Sequence, residues 1–151
     1  MSVLATIRPD SWNFPLLVHV LGAMILVGGV LSAFSALAFA RGDARLLRLG
    51  YWSLLAVGLP GYIVMRIGAE WMYSKENLDK LPDDPTWVGI GYMTADIGAV
   101  LLLIALVAGG FGVRRLRTGK GTALLNVSMG ISIILLAAYV VAIWAMSAKP
   151  D

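Results

Sequence analysis

Four long apolar stretches dominate this 151-residue chain. They cover residues 14–40, 49–73, 87–113 and 122–147. Each exceeds the ~20 apolar residues that a helix needs to cross a bilayer. Lipid offers backbone N–H and C=O groups no partner, so such stretches must satisfy their hydrogen bonds internally, as helices. The expectation is an all-α membrane protein. Residues 1–151 would form a single domain, a four-transmembrane-helix bundle with short loops. Composition agrees, with 59% hydrophobic and only 14% charged residues, against ~25% charged in a soluble domain. That excludes a disordered chain, a nucleic-acid-binding module and an ordinary cytosolic enzyme. The first stretch has almost no basic lead and is too long for a cleavable signal peptide.

The connections set an orientation. The first carries Arg41, Arg45 and Arg48 against Asp43, and the third carries Arg114, Arg115, Arg117 and Lys120 with no acid. The second holds Lys75 and Lys80 against Glu76, Asp79, Asp83 and Asp84. The positive-inside rule puts the first and third connections in the cytoplasm. The protein is then a multi-pass protein of the cell (inner or plasma) membrane with both termini outside. Trp12, Trp71, Trp87 and Trp144 fall at the outer ends, where indoles favour the interface.

Punctuation within the stretches fits helices. Pro15 falls in the first turn of the first span, where a missing N–H costs nothing. Asp84-Pro85 reads as a cap followed by proline, and Gly119 and Gly121 break the third connection. Pro60 sits inside the second span, so that helix is expected to be kinked there. Small residues recur every fourth position at Gly28, Ser32, Ala36 and Ala40, and again at Gly91, Ala95 and Ala99. These stripes are the expected close-contact seams.

Four ionisable residues lie within the spans: His19, Arg66, Glu70 and Asp96. A charge at the centre of a membrane helix costs ~2.5–3.5 kcal/mol on the insertion scale, so each needs a reason. At ~1.5 Å per residue, they lie roughly 5–13 Å from the outer ends of their spans, with Asp96 deepest. Arg66 and Glu70 stand at i and i+4 and can pair. Tyr62 shares their face approximately, Tyr92 lies one turn from Asp96, and Tyr139 offers a hydroxyl at comparable depth on the fourth span. Together these groups are expected to converge on one outward-opening site for a small ligand, a cation or a proton. A structural role as polar glue between helices stands equally beside that one.

Cofactor options are few. Cysteine is absent and His19 is the one histidine. Bis-histidine haem would need a homodimer, or a methionine as second ligand. Thioethers suit Cu(I), with His19 and Met24 as the ligands if a metal is bound at all. No cofactor is expected, with haem or copper left open.

The segment His19-x-x-Gly22-Ala23-x-x-x-x-Gly28-Gly29 resembles the first helix of uncharacterised bacterial four-helix integral membrane proteins, a predicted integral membrane domain of unknown function. Pro60-Gly61-Tyr62-Ile63-Val64-Met65-Arg66-Ile67-Gly68, and Asp84-Pro85-Thr86-Trp87 with Asp96, also look like that group, particularly its actinobacterial members. A more distant similarity is to the membrane domains of the CopD copper-resistance family, which share a first-helix histidine followed by glycines. The closer resemblance implies fold and topology rather than an activity. The leading functional expectation is a non-enzymatic membrane protein with a polar binding cluster. The alternatives are an accessory or assembly subunit of a larger membrane complex, and a haem- or copper-linked redox component. Expected partners are the lipid bilayer and a second copy or larger complex, with no nucleic acid.

Overall fold

A computed structural model describes residues 10–80 and 82–149. Among them there are helices and no strand. Four helices are long and apolar enough to cross a membrane: α1 (Asn13–Phe39), α2 (Ala44–Lys75), α3 (Thr86–Thr118) and α4 (Thr122–Ala148). Consecutive helices run antiparallel around a shared core, and the last turn of α3 tightens to 3-10 geometry at Leu116–Thr118.

The helices follow the expected apolar stretches, except that α2 begins five residues earlier and α3 ends five residues later. Asp43 caps α2, its carboxylate accepting from the Arg45 N–H at 2.7 Å. Such a cap satisfies one of the orphan donors of the first turn. Arg45 and Arg48 therefore lie on the helix, and the first connection shrinks to a tight turn with Arg41 and Gly42 at positive φ. Gly119, at φ 71°, ends α3 in the left-handed conformation that glycine adopts most readily. Asp84 does not cap α3. The cap position is Pro85, without a side-chain bond, and Asp84 instead accepts the Tyr73 hydroxyl at 2.7 Å.

Pro60 leaves a local signature. The turn before it, Leu54–Gly58, is π-helical, and the Leu59 N–H reaches back five residues to Leu54 O. In a regular helix the Pro60 ring would press on the carbonyl four residues earlier. The wider turn gives that ring room.

The tightest seam joins α1 to α2. A Cβ on Gly29 would stand 2.5 Å from Gly58 N, and one on Gly61 2.5 Å from Leu26 N. A Cβ on Gly22 would strike the Met65 backbone, and one on Gly68 the His19 backbone. The second seam joins α3 to α4 through Gly91, Gly98, Ala105 and Gly112. Across it Ser128 Oγ donates to Ala105 O at 2.6 Å, and within α4 Ser132 Oγ donates to Ser128 O at 2.8 Å. Both serines are buried and both hydroxyls are satisfied, so neither carries the penalty of an unpaired polar group.

The seam on α1 is not the stripe expected from sequence. Gly28 and Ser32 face outward, and a Cβ on Gly28 would meet nothing. The seams step by seven: Gly22 to Gly29, Gly61 to Gly68, and Gly91 to Gly98 to Ala105 to Gly112. A four-residue step advances ~400° and drifts ~40° off the contact line each time, whereas seven residues span nearly two whole turns. Helices packed at shallow crossing angles therefore hold a seven-residue seam.

Leu26, Val30 and Ala33 of α1, Leu54 of α2, Leu102, Ala105 and Leu106 of α3 and Ile131, Leu135 and Tyr139 of α4 form the main core. The outside is apolar too, with Phe14, Leu31, Ile97, Val107 and Val140 among many exposed large side chains. Gly61→Ala should lower stability by about 2 kcal/mol, because backbone lies where its methyl would sit. Gly28→Ala should leave it within about 0.5 kcal/mol. Reversible unfolding in mixed detergent checks both, and equal effects would contradict the seam.

Candidate functional site

The polar residues singled out from sequence collect toward one end of the bundle, the end of the 76–85 connection and of both described termini. They form two neighbouring groups rather than one.

The first group lies between α2 and α3. Arg66 Nε pairs with Glu70 Oε1 at 3.2 Å, as the i, i+4 spacing allows, and Arg66 Nη1 pairs with Asp96 Oδ1 at 3.1 Å. The guanidinium also lies 4.7 Å from the centre of the Tyr92 ring. Its charge is thereby shared between two carboxylates and a π face. Arg66 is 29% exposed, Glu70 53% and Asp96 64%, so the carboxylates open onto the outside of the bundle. Tyr73 packs edge-on against Tyr92 and ties this end to the connecting loop through Asp84.

The second group lies inside. Because Gly68 lets the α1 backbone come close, the His19 ring reaches α2, and Nδ1 lies 3.0 Å from Met65 O. A carbonyl only accepts, so Nδ1 carries the proton. In the neutral ring Nε2 is then a bare acceptor. Among the described residues no hydrogen-bond partner meets Nε2.

His19 lines a cleft of about 730 Å3. Leu16, Val20, Ala23 and Met24 of α1 form one wall, and Tyr139, Ala142, Ile143 and Met146 of α4 form the other. Met65, Ala69 and Met72 of α2, with Val88 and Tyr92 of α3, make the floor. Glu76, Trp87 and Lys149 stand at the end of the bundle, where Lys149 Nζ lies 4.8 Å over the Trp87 ring. A smaller gap of about 80 Å3 adjoins it, shares His19, Tyr92 and Tyr139, and reaches Arg66. Tyr139 is only 6% exposed, and its buried hydroxyl has no partner among the described residues.

The structure thus brings Arg66, Glu70, Asp96 and Tyr92 together, and sets His19 and Tyr139 beside them in the cleft. Tyr62 does not line the cleft; it packs on the core around Leu26 and Tyr139. Met24 stands at the outer lip, 67% exposed. Met65, Met72 and Met146 also line the cleft. Sequence reasoning did not place Met146, whose methyl lies against Gly91. Its one signal was a glycine facing the opposite helix. Were a metal or haem bound here, His19 Nε2 and one of these thioethers would be the donors at hand, and a backbone carbonyl on the other ring nitrogen is the usual support for a ligating histidine.

Arg66→Met should destabilise the protein by about 2 kcal/mol, since it leaves two carboxylates without their cation. Asp96→Asn, which keeps an acceptor, should cost less. In a double-mutant cycle the pair should couple by about 1 kcal/mol. Zero coupling would mean that the ion pair does not tie α2 to α3.

No family model matches the chain, and neither a curated protein nor a solved structure does.

Proposed function

We propose that this chain is a multi-pass protein of the cell membrane, with both termini on the outer side, that binds a small and largely apolar ligand in the cleft between α1 and α4. In this reading it is a binding protein rather than an enzyme. The apolar outer surface of the four helices supports membrane insertion, because a soluble protein rarely exposes so continuous an apolar surface. The distribution of arginine supports the orientation.

One observation carries the binding reading. The cleft is apolar and of ligand size, yet it is lined by His19, whose Nε2 is left as an acceptor in the neutral ring, and by Tyr92 and Tyr139, whose buried hydroxyls have no partner among the described residues. Binding sites commonly combine an apolar lining with a few placed polar groups.

A second reading rests on Asp96 and Glu70. Carboxylates facing out of a membrane bundle are costly beside lipid. A neighbouring subunit, or a second copy of this chain, would cover them. The protein would then be an accessory part of a larger membrane complex, with the ion pairs at its edge.

Ala142→Trp should fill the cleft. Native mass spectrometry of protein released from mild detergent should show a small-molecule adduct on the wild type and none on this variant. An adduct on both, or on neither, counts against the cleft as a binding site. For orientation, a reporter fused after Asp151 should be active only outside the cytoplasm; cytoplasmic activity would overturn the topology.

A further inference from the structure

The cleft is long as well as apolar. We infer that it holds one acyl chain of a bilayer phospholipid, with a zwitterionic phosphoethanolamine head at its rim beside Lys149 and Glu76. This inference deepens the reading of the cleft as a binding site and rests on it.

Length is the first argument. On α1 the lining runs from Leu16 to Gly28, which at ~1.5 Å per residue is ~18 Å. On α2 it runs from Met65 to Glu76 and on α4 from Tyr139 to Lys149, roughly 15–17 Å in each case. Half the hydrocarbon thickness of a bilayer is ~15 Å. The cleft is therefore a slot about as deep as one leaflet, lying along the helices. A compact ring system would occupy part of it, whereas an extended alkyl chain fills its length. The slot also opens sideways, since Val20 and Met24 on its α1 lip and Ile143 on its α4 lip are exposed. A chain can enter there from the surrounding lipid without leaving hydrocarbon, and the second chain of the same lipid can stay outside. The hydroxyls of Tyr92 and Tyr139 are buried within the wall, and an alkyl chain asks nothing of them.

Polarity is the second argument. Charged groups line the cleft only at the end of the bundle, where the described lining includes one cation, Lys149, and one anion, Glu76. Neither makes an ion pair among the described residues, and the Lys149 ammonium instead lies 4.8 Å over the Trp87 ring. Indoles favour the level of lipid headgroups. An apolar slot topped by charges repeats the order of a lipid standing in its own leaflet. The two rim charges sum to zero. A phosphate meets a cation in Lys149. Glu76 repels a head with net negative charge and attracts one that carries an ammonium. Phosphoethanolamine carries both groups.

The test is native mass spectrometry of detergent-purified protein titrated with defined probes. They are dipalmitoyl phosphatidylethanolamine, the phosphatidylglycerol with the same chains, dibutyryl phosphatidylethanolamine, and biphenyl as a compact apolar molecule. Wild-type protein should bind the long-chain phosphatidylethanolamine about threefold more tightly than phosphatidylglycerol, within the worth of one exposed ion pair. It should not retain the dibutyryl lipid. Glu76→Gln should bring phosphatidylglycerol up to the same affinity, and Lys149→Gln should weaken both. Ala142→Trp, and Ala23→Phe on the α1 wall, should each remove the bound lipid. The comparison of probes on wild type stands even if neither of these two variants folds. Lipid retained unchanged by both would lie on the outer surface of the bundle and overturn the inference. Equal retention of the dibutyryl lipid would overturn the acyl-chain assignment, and equal affinity of wild type for the two long-chain lipids would overturn the choice of head. A biphenyl adduct without a long-chain lipid adduct would overturn the lipid inference while leaving an apolar binding cleft. Failure of every probe to bind would remove the cleft reading with it.

Discussion

Backbone contact between α1 and α2 is the constraint on which the rest of this bundle depends. Four glycines, Gly22, Gly29, Gly61 and Gly68, sit where any side chain would enter the opposite backbone. For helices apolar on every face, as a membrane would require, burying one face gains little, so close packing itself must provide the attraction. Close approach also converts position into chemistry. His19 reaches a carbonyl of α2 because Gly68 lies beneath it. Were the helices a typical 8–10 Å apart, with side chains between, that bond would be out of reach for the ring.

The two seams pair α1 with α2 and α3 with α4, and they leave different work for the other two faces. Between α2 and α3 the Arg66–Asp96 ion pair ties one end, while Tyr51 packs on Gly109 and Gly110 toward the other. Between α1 and α4 the helices meet around Leu26, Val30, Ile131 and Leu135 and are separated by the cleft beyond. The cleft follows from the same economy of side chains as the seams. Ala23, Ala69 and Ala142 are too small to fill the space that Leu26 and Leu135 fill one or two turns away.

Sequence revealed the four long helices because their apolar character runs over more than twenty residues each. It revealed the Arg66–Glu70 pair because i and i+4 are neighbours within one helix whatever surrounds it. Which face of each helix turns inward was not legible. In a soluble bundle polar residues mark the outside, but here Leu31 and Val107 face out while Val30 and Leu106 face in. With no contrast to read, the stripe at Gly28 was indistinguishable from the seam at Gly29, and only the seven-residue step separates them. The Asp84 carboxylate was misread for a related reason. Its sequence context suits a helix cap, and the Tyr73 hydroxyl that claims it comes from another helix. The His19–Met65 contact and the cleft depend on how helices distant in sequence meet, which no local pattern encodes.

Tyr92 joins the two polar groups. One face of its ring receives the Arg66 guanidinium, and its side chain also forms part of the cleft floor. Tyr73, packed on its edge, is held in turn by Asp84 of the connecting loop. The charged cluster at the α2–α3 face therefore shares a wall with the apolar cleft. An occupant pressing on Tyr92 would bear directly on the cation that neutralises Glu70 and Asp96. Conversely, whatever covers those carboxylates would fix the floor on which an occupant rests. The polar groups toward this end of the bundle thus meet around Tyr92, and the glycine seam of α1 and α2 brings His19 and Arg66 to the same small gap beside it.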